Sequence, residues 1–177
     1  MSYVDVLILR YLMRAPAHGY ELRKHVEAST GFVLHNNSLY PALHRFEQAG
    51  AVVKTAQPQQ GRPPRHVYEL TDTGRELMHE TLAELPADQA GDEAEFLVRL
   101  AQFALLEPGE RLAVLDARDA AVTARSAHVQ TLSERVQGER WGRLVADELI
   151  SRCATERAWL AELRLLAASA PVQEAGE

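Results

Sequence analysis

The chain has a single cysteine, Cys153, and only two lysines, Lys24 and Lys54, among 177 residues. One cysteine excludes an internal disulfide framework and fits a reducing, cytoplasmic setting. No apolar run approaches the ~18 residues that a membrane-spanning helix needs, so no membrane partner is expected. The opening stretch MSYVDVLILRYLMRAP has neither a basic leader nor a small-residue cleavage site, and reads as a folded helix and not as a signal peptide. There is no glycine-rich phosphate loop, no spacing of nucleophile, base and acid, and no internal repeat. Six histidines (His18, His25, His35, His44, His66 and His79) lie in the first half, but none forms an H-x-x-x-H pair and no cysteine lies near them. An enzyme is therefore not expected, nor a metal, nor any cofactor.

What is present is ordinary globular composition, 46% apolar and 25% charged. The net charge of -6 is unevenly placed. Residues 1–85 hold nine basic and nine acidic residues, whereas residues 86–177 hold ten basic and sixteen acidic. The acidity belongs to the C-terminal part, and a neutral N-terminal part can still present a basic face, since a phosphate feels local charge.

Hydrophobic spacing divides the chain. Val4, Leu7, Ile8, Tyr11 and Leu12 make one helical face over residues 4–14, and Tyr20, Leu22 and Val26 serve a second helix over 19–29. Leu39, Leu43 and Phe46 define a third over 38–49, with Asn37 or Ser38 as its cap, Pro41 in its first turn and Gly50 in the left-handed position after it. The period then changes. Ala51–Thr55 and His66–Leu70 are β-prone runs around a polar loop, QPQQGRPP, and Thr71 caps a helix over 72–85. Helix, helix, helix, hairpin, helix is the order of a winged helix-turn-helix. Residues 86–91 read as a linker. Beyond it the pattern is all helical, over 92–106, 108–137 and 143–168, the second with Leu112, Leu115, Val122, Val129, Leu132 and Val136 near heptad spacing, and Gly138 and Gly142 bracketing a break. Residues 171–177 read as a flexible tail. The expected fold is mostly α: a winged helix-turn-helix of three helices and a β-hairpin wing over 1–85, and a helical dimerisation domain over 92–170. Long thin helices cannot bury their stripes alone.

Three stretches, Pro16–Leu22, Ser38–Leu43 and Gly61–Gly74, resemble the PadR-like transcriptional regulators. Pro16-Ala17-His18-Gly19-Tyr20-Glu21-Leu22 is similar to the family's P-x-H-G-Y-E-L segment at the second helix. Ser38-Leu39-Tyr40-Pro41-Ala42-Leu43 is similar to its S-L-Y-P-A-L recognition helix. Gly61-Arg62-Pro63-Pro64-Arg65 through Tyr68, Leu70, Thr71 and Gly74 is similar to its wing and the helix that follows. The resemblance covers residues 4–80. Where the family often has glycine before S-L-Y, this chain has Asn37, which also tolerates the left-handed region. Phe96-Leu97-Val98-Arg99-Leu100 and Glu156-Arg157-Ala158-Trp159-Leu160 resemble the helical domain of the larger PadR-like subfamily.

The resemblance implies a homodimeric repressor that reads a pseudo-palindromic operator in double-stranded DNA, with a small aromatic effector in some relatives. It carries no assignment of effector-binding residues here. On the recognition helix, Asn37, Ser38, Tyr40, Pro41, His44 and Arg45 lie on or near the turn that enters the major groove. Serine, asparagine and tyrosine can donate to phosphate or to base edges, and Arg45 can pair with phosphate or guanine. On the wing, Lys54, Arg62 and Arg65 suit phosphate or minor-groove contact. The plainer alternative is a wet helix face and a solvated charged loop; for Leu39, Leu43 and Phe46 a core role is the reading adopted. Phe96, Leu100, Leu112, Leu115, Val129, Leu132, Leu149, Trp159, Leu160 and Leu163 are expected in the dimer interface. Cys153 lies on an apolar stripe and reads as a small buried residue, and Trp141 and Trp159 as packing groups. The alternative function is a winged-helix protein-interaction module without specific DNA binding, which would pass through heparin at low salt.

Overall fold

A computed structural model of the chain describes residues 1–30, 36–59, 62–135 and 139–168, without the side chains of 29, 30, 36, 37, 59 and 62–64. Its contacts divide it into two compact units, Met1–Leu82 and Ala83–Glu177.

The first unit runs α1 (Tyr3–Leu12), β1 (Ala17–His18), α2 (Gly19–Thr30), α3 (Asn36–Gln48), β2 (Val52–Gln59), β3 (Arg62–Leu70) and α4 (Asp72–Ala83). It is the winged helix-turn-helix that the sequence predicts. Val6, Ile8 and Leu9 of α1, Leu22 of α2, Leu39, Leu43 and Phe46 of α3, and Met78 and Leu82 of α4 are buried together with Val52 and Leu70. Gly50 closes α3 at φ 70°, with Ala51 N–H donating to the Phe46 carbonyl at 2.8 Å and Gly50 N–H to that of Glu47 at 3.1 Å. That pair of bonds satisfies helix-end carbonyls that would otherwise be orphaned. Thr71 caps α4 as expected: its hydroxyl accepts from Gly74 N–H at 3.1 Å and donates to the Gly50 carbonyl at 2.7 Å. Gly74 lies so close to the preceding turn that a Cβ there would stand 2.2 Å from the Ala51 carbonyl oxygen.

Three local expectations change. First, α3 begins at Asn36, so Asn37 and Ser38 are helical residues and not its cap, and Pro41 sits past the first turn. Proline there has no N–H for the Asn37 carbonyl. Second, most of the stretch read as a polar loop is strand. The hairpin pairs from Val52↔Leu70 out to Gln59↔Arg62, with an irregularity between Gln57 and Gln59. Pro58, which has no N–H for the ladder, occupies that irregularity. Third, Ala17 and His18, between the first two expected helices, form β1 and pair antiparallel with Tyr68 and Val67, giving a sheet ordered β1-β3-β2. Two residues are too few to show a periodicity in sequence.

The second unit runs α5 (Glu93–Leu100), a short 3-10 turn (Phe103–Leu105), α6 (Pro108–Arg135) and α7 (Arg140–Ala167). Asp92 caps α5 by accepting from Ala94 and Glu95 N–H. The helix expected over 92–106 ends early. The chain turns there, and the Phe103 carbonyl accepts from Leu106 N–H at 3.1 Å and from Arg111 Nε at 2.7 Å. Proline opens α6, where no N–H is needed, and Gly142 lies inside α7, not at a break. Residues 86–91, read as a linker, carry Ala90, which is buried in this unit's core with Leu85 and Phe96.

The helices α6 and α7 form a hairpin whose buried residues recur every seven positions: Leu115, Val122 and Val129 on α6, and Ala146, Cys153, Leu160 and Ala167 on α7. Such spacing keeps one seam facing its partner helix. Around it, Arg164 bonds Asp116 at 2.8 Å and Asp119 at 3.4 Å, and Arg157 bonds Asp119 at 3.0 Å. The hydrogen bond to Asp116 leads the effects that push the Arg164 pKa up. Among the described side chains, Arg99 and Arg118 are almost wholly buried. Arg99 donates to the Glu84 and Glu95 carbonyls, the Glu95 carboxylate and Gln89. Arg118 holds Glu156 at 2.6 Å and the Ala90 carbonyl at 2.8 Å. Charges survive in such a place only when paired and hydrogen-bonded.

This packing corrects part of the expected dimer interface. Phe96, Leu115 and Leu160 have no exposed surface within a single chain and Val129 has little, so they are core residues. Leu100, Leu112 and Leu163 are half-buried against the same core. Leu132, Leu149 and Trp159 remain exposed. Val136 and the tail 171–177 lie outside the described residues. None of the described helices is long and apolar enough to cross a membrane.

Candidate nucleic-acid interface

The core anchors of α3 fix which of its faces is outward. Leu39, Leu43 and Phe46 point inward, so Ser38, Tyr40, Pro41, His44 and Arg45 are left exposed. Five of the six residues expected on this helix therefore share the surface; the sixth, Asn37, has a side chain outside the described residues. His44 Nδ1 lies 3.9 Å from Glu47, one turn on. Arg45 is more tightly engaged. Its guanidinium donates at 2.9 Å to Asp5 of α1, whose side chain is only 5% exposed. The other Asp5 oxygen accepts from Ser2 N–H at 2.9 Å. Arg45 thus ties the outward face of α3 to α1, a structural duty that sequence reasoning missed because the partners stand 40 positions apart.

The sheet supplies the remaining cations. Lys54 pairs with Tyr68 across β2 and β3 and is exposed, and Arg65 is exposed on β3 opposite Gln57. Neither has a carboxylate partner among the described residues. Arg62 is the first residue of β3, and its side chain is outside the described set. Arg65 lies 6.0 Å above the ring of Tyr20, the second residue of α2, and Tyr20 stands beside His18, with ring centroids 5.8 Å apart and near-parallel planes. Tyr20 was expected only on the buried face of the second helix, and His18 only as part of the P-x-H-G-Y-E-L resemblance. The motif that contains them, H-G-Y-E, was the available signal. Its geometry is now apparent: Glu21 accepts from His18 N–H at 2.8 Å and from the Tyr20 hydroxyl at 3.2 Å, while His18 Nδ1 donates to the His66 carbonyl at 2.9 Å. These bonds fasten the start of α2 to the wing strand. No group of histidine, cysteine, aspartate and glutamate among the described residues is placed to hold a metal ion.

Residues 8–80 match the family model described as the transcriptional regulator PadR-like family. No curated protein matches the chain at a significant level. Among solved structures, a candidate transcriptional regulator from Thermoplasma acidophilum is 31% identical over 44% of this chain and 74% of its own, with a TM-score of 0.40. A PadR family transcription regulator from Clostridium difficile is 29% identical over 44% of this chain and 80% of its own, TM-score 0.40. Bacillus subtilis PadR, solved with operator DNA, is 17% identical over 94% of this chain and 98% of its own, TM-score 0.45.

Proposed function

Because this chain belongs to the PadR-like family of transcriptional regulators, its residues 8–80 carrying the match, we propose that it binds operator DNA as a homodimer and represses transcription. The observation that carries this reading is the polar outward face of α3, with Ser38, Tyr40, His44 and Arg45 presented together beside the exposed Lys54 and Arg65 of the hairpin. Tyrosine and serine hydroxyls and arginine are the groups that grip phosphate and read base edges, and a helix of this kind fits the major groove.

The dimer reading is supported by apolar surface that one chain leaves uncovered. On α7, Trp141 is 75% exposed and Val145 60%, and with Leu144 and Leu149 they line one shallow groove. Leu165 and Leu166 lie exposed near the other end. Contiguous exposed apolar side chains of this size mark an interaction surface. Two copies joined there would set two recognition helices at a fixed separation, which calls for an inverted repeat with half-sites about one helical turn apart or a multiple of it. A small aromatic effector would release the operator by binding better to a dimer whose separation no longer fits.

Selection of bound sequences from a random duplex library at two salt concentrations tests the reading. The expected outcome is an enriched inverted repeat whose affinity falls steeply with salt, since each neutralised phosphate adds about 0.9 to the logarithmic slope. No enrichment at either salt refutes it. Sedimentation of wild type and of Trp141→Ala/Val145→Glu checks the dimer: a shift of the variant toward the 19.7 kDa monomer is expected.

A further inference from the structure

Between the start of α2, the middle of α3 and the wing strand β3 lies a cavity of about 280 Å³ lined by His18, Gly19, Tyr20, Tyr40, Arg65, His66 and Tyr68. Tyr68 is its least expected member. It is 5% exposed, yet no described residue hydrogen-bonds its hydroxyl, and no fully buried side-chain oxygen among the described residues lacks a partner. The hydroxyl therefore opens into the cavity. A tyrosine buried to this extent ordinarily finds a partner for its O–H.

The surroundings say what that partner is. Tyr40, from α3, brings a second hydroxyl that no described residue bonds. Gly19 lets it in: a Cβ there would stand 3.2 Å from the Tyr40 ring. Arg65 closes one side with a guanidinium that no described carboxylate neutralises. Lys54 is the cross-strand neighbour of Tyr68 and so shares its face of the sheet. Two carboxylates are near, Glu21 and Glu47. Glu21 is occupied by His18 N–H and the Tyr20 hydroxyl, and Glu47 of α3 faces His44. Burial, with Tyr40 and Glu47 adding to it, pushes the Tyr68 pKa up, so its oxygen keeps its proton and stays a donor.

We infer that this cavity seats a single phosphate of the DNA backbone, held by the Tyr68 and Tyr40 hydroxyls and the Arg65 guanidinium. The inference rests on the DNA-binding reading above and deepens it, because it assigns one phosphate to three residues from two separate elements. Two hydroxyl donors and one arginine can surround a tetrahedral anion. They pin the wing and the recognition helix to the same point of the backbone, which fixes register without reading sequence.

The test uses the full-length protein and the duplex obtained by selection, with each phosphate replaced in turn by a neutral methylphosphonate. Wild type is expected to lose affinity most at one linkage. Tyr68→Phe, which keeps the ring, should bind the unmodified duplex on the order of tenfold more weakly, the scale of one hydrogen bond to a charged group. Tyr68→Phe, Tyr40→Phe and Arg65→Ala should each lose less affinity than wild type on that same methylphosphonate, Arg65→Ala least of all. Only Arg65→Ala should lower the salt slope, by about one. Should Tyr68→Phe fail to fold, the exposed Tyr40→Phe carries the same comparison. Tyr68→Phe binding as wild type, or the three variants losing sensitivity at different linkages, overturns the seat and leaves DNA binding standing. A wild type that binds no duplex at any salt removes both.

Discussion

Replacing Arg45 by alanine separates a structural duty from a DNA-binding one. The Arg45–Asp5 pair is asymmetric: the aspartate side chain is 5% exposed and the arginine 59%, at 2.9 Å. Removing one member of a fully buried pair costs about 3–5 kcal/mol, and a fully exposed pair is worth about 0–1 kcal/mol. Here water can replace part of the guanidinium, and Asp5 keeps its bond from Ser2 N–H. The cost should therefore be about 1–2 kcal/mol. For a domain of this size that lowers the melting temperature by roughly 5–15 °C. The assay is thermal unfolding of Arg45→Ala, Asp5→Asn and the double variant, with a coupling energy of about 1 kcal/mol expected from the cycle. Operator affinity is then measured well below the lowest transition, so that stability does not enter. A melting temperature unchanged in Arg45→Ala, with no coupling in the cycle, would refute the tether and leave Arg45 as a DNA contact alone.

Gly74→Ala should lower stability by more than about 2 kcal/mol, because the new methyl meets the Ala51 carbonyl at 2.2 Å and the backbone must shift; the denaturation midpoint measures it. Cys153 is 4% exposed, so in the native protein it should react with a thiol reagent on the order of a hundredfold more slowly than in denaturant, and fast stoichiometric labelling would contradict the α6–α7 seam. Burial, then the charge of Arg14, lowers the His25 pKa below 6.5. The unfolded chain thus binds this proton more readily than the folded one, and His25 withdraws stability as pH falls from 6.5 toward its lowered folded pKa. His25→Gln should therefore lose less stability than wild type between pH 7.5 and 5.5, and equal losses would show that His25 has no part in the pH dependence.

The elements most legible in the sequence were those with a repeating pattern or a dedicated residue. The helices α1, α2 and α3 declared themselves by apolar spacing, α4 by Thr71 at its start, the turn after α3 by Gly50, and the outward face of α3 by elimination once Leu39, Leu43 and Phe46 were assigned inward. These signals are local, so one strand of text carries them. The two-residue strand β1 and the extension of the hairpin through Pro58 carried no such signal, since pairing partners, not periodicity, make them strand. The C-terminal stripes were read correctly as apolar, but not which apolar residues face which. Leu149 and Leu160 were both expected in the dimer interface; Leu149 is exposed, whereas Leu160 is buried in the unit's own core, as is Ala146, which no apolar stripe had included. Two stripes on one helix differ by a rotation that only the partner helix decides.

By itself, then, the sequence determined the order of the long helices and the hairpin, the cap at Thr71 and the turn at Gly50, the placement of acidity in the C-terminal half and the residues presented by α3. Only the tertiary structure decided that Arg45 is tied to Asp5, that Arg99 and Arg118 are buried with their partners, and that Tyr68 opens into a cavity with Tyr40 and Arg65. Each of those depends on groups far apart in the chain, brought together by packing. Nothing in the spacing of residues 5 and 45, 118 and 156, or 40 and 68 encodes that proximity, because the distance between them is set by how the helices and the wing close on a shared core.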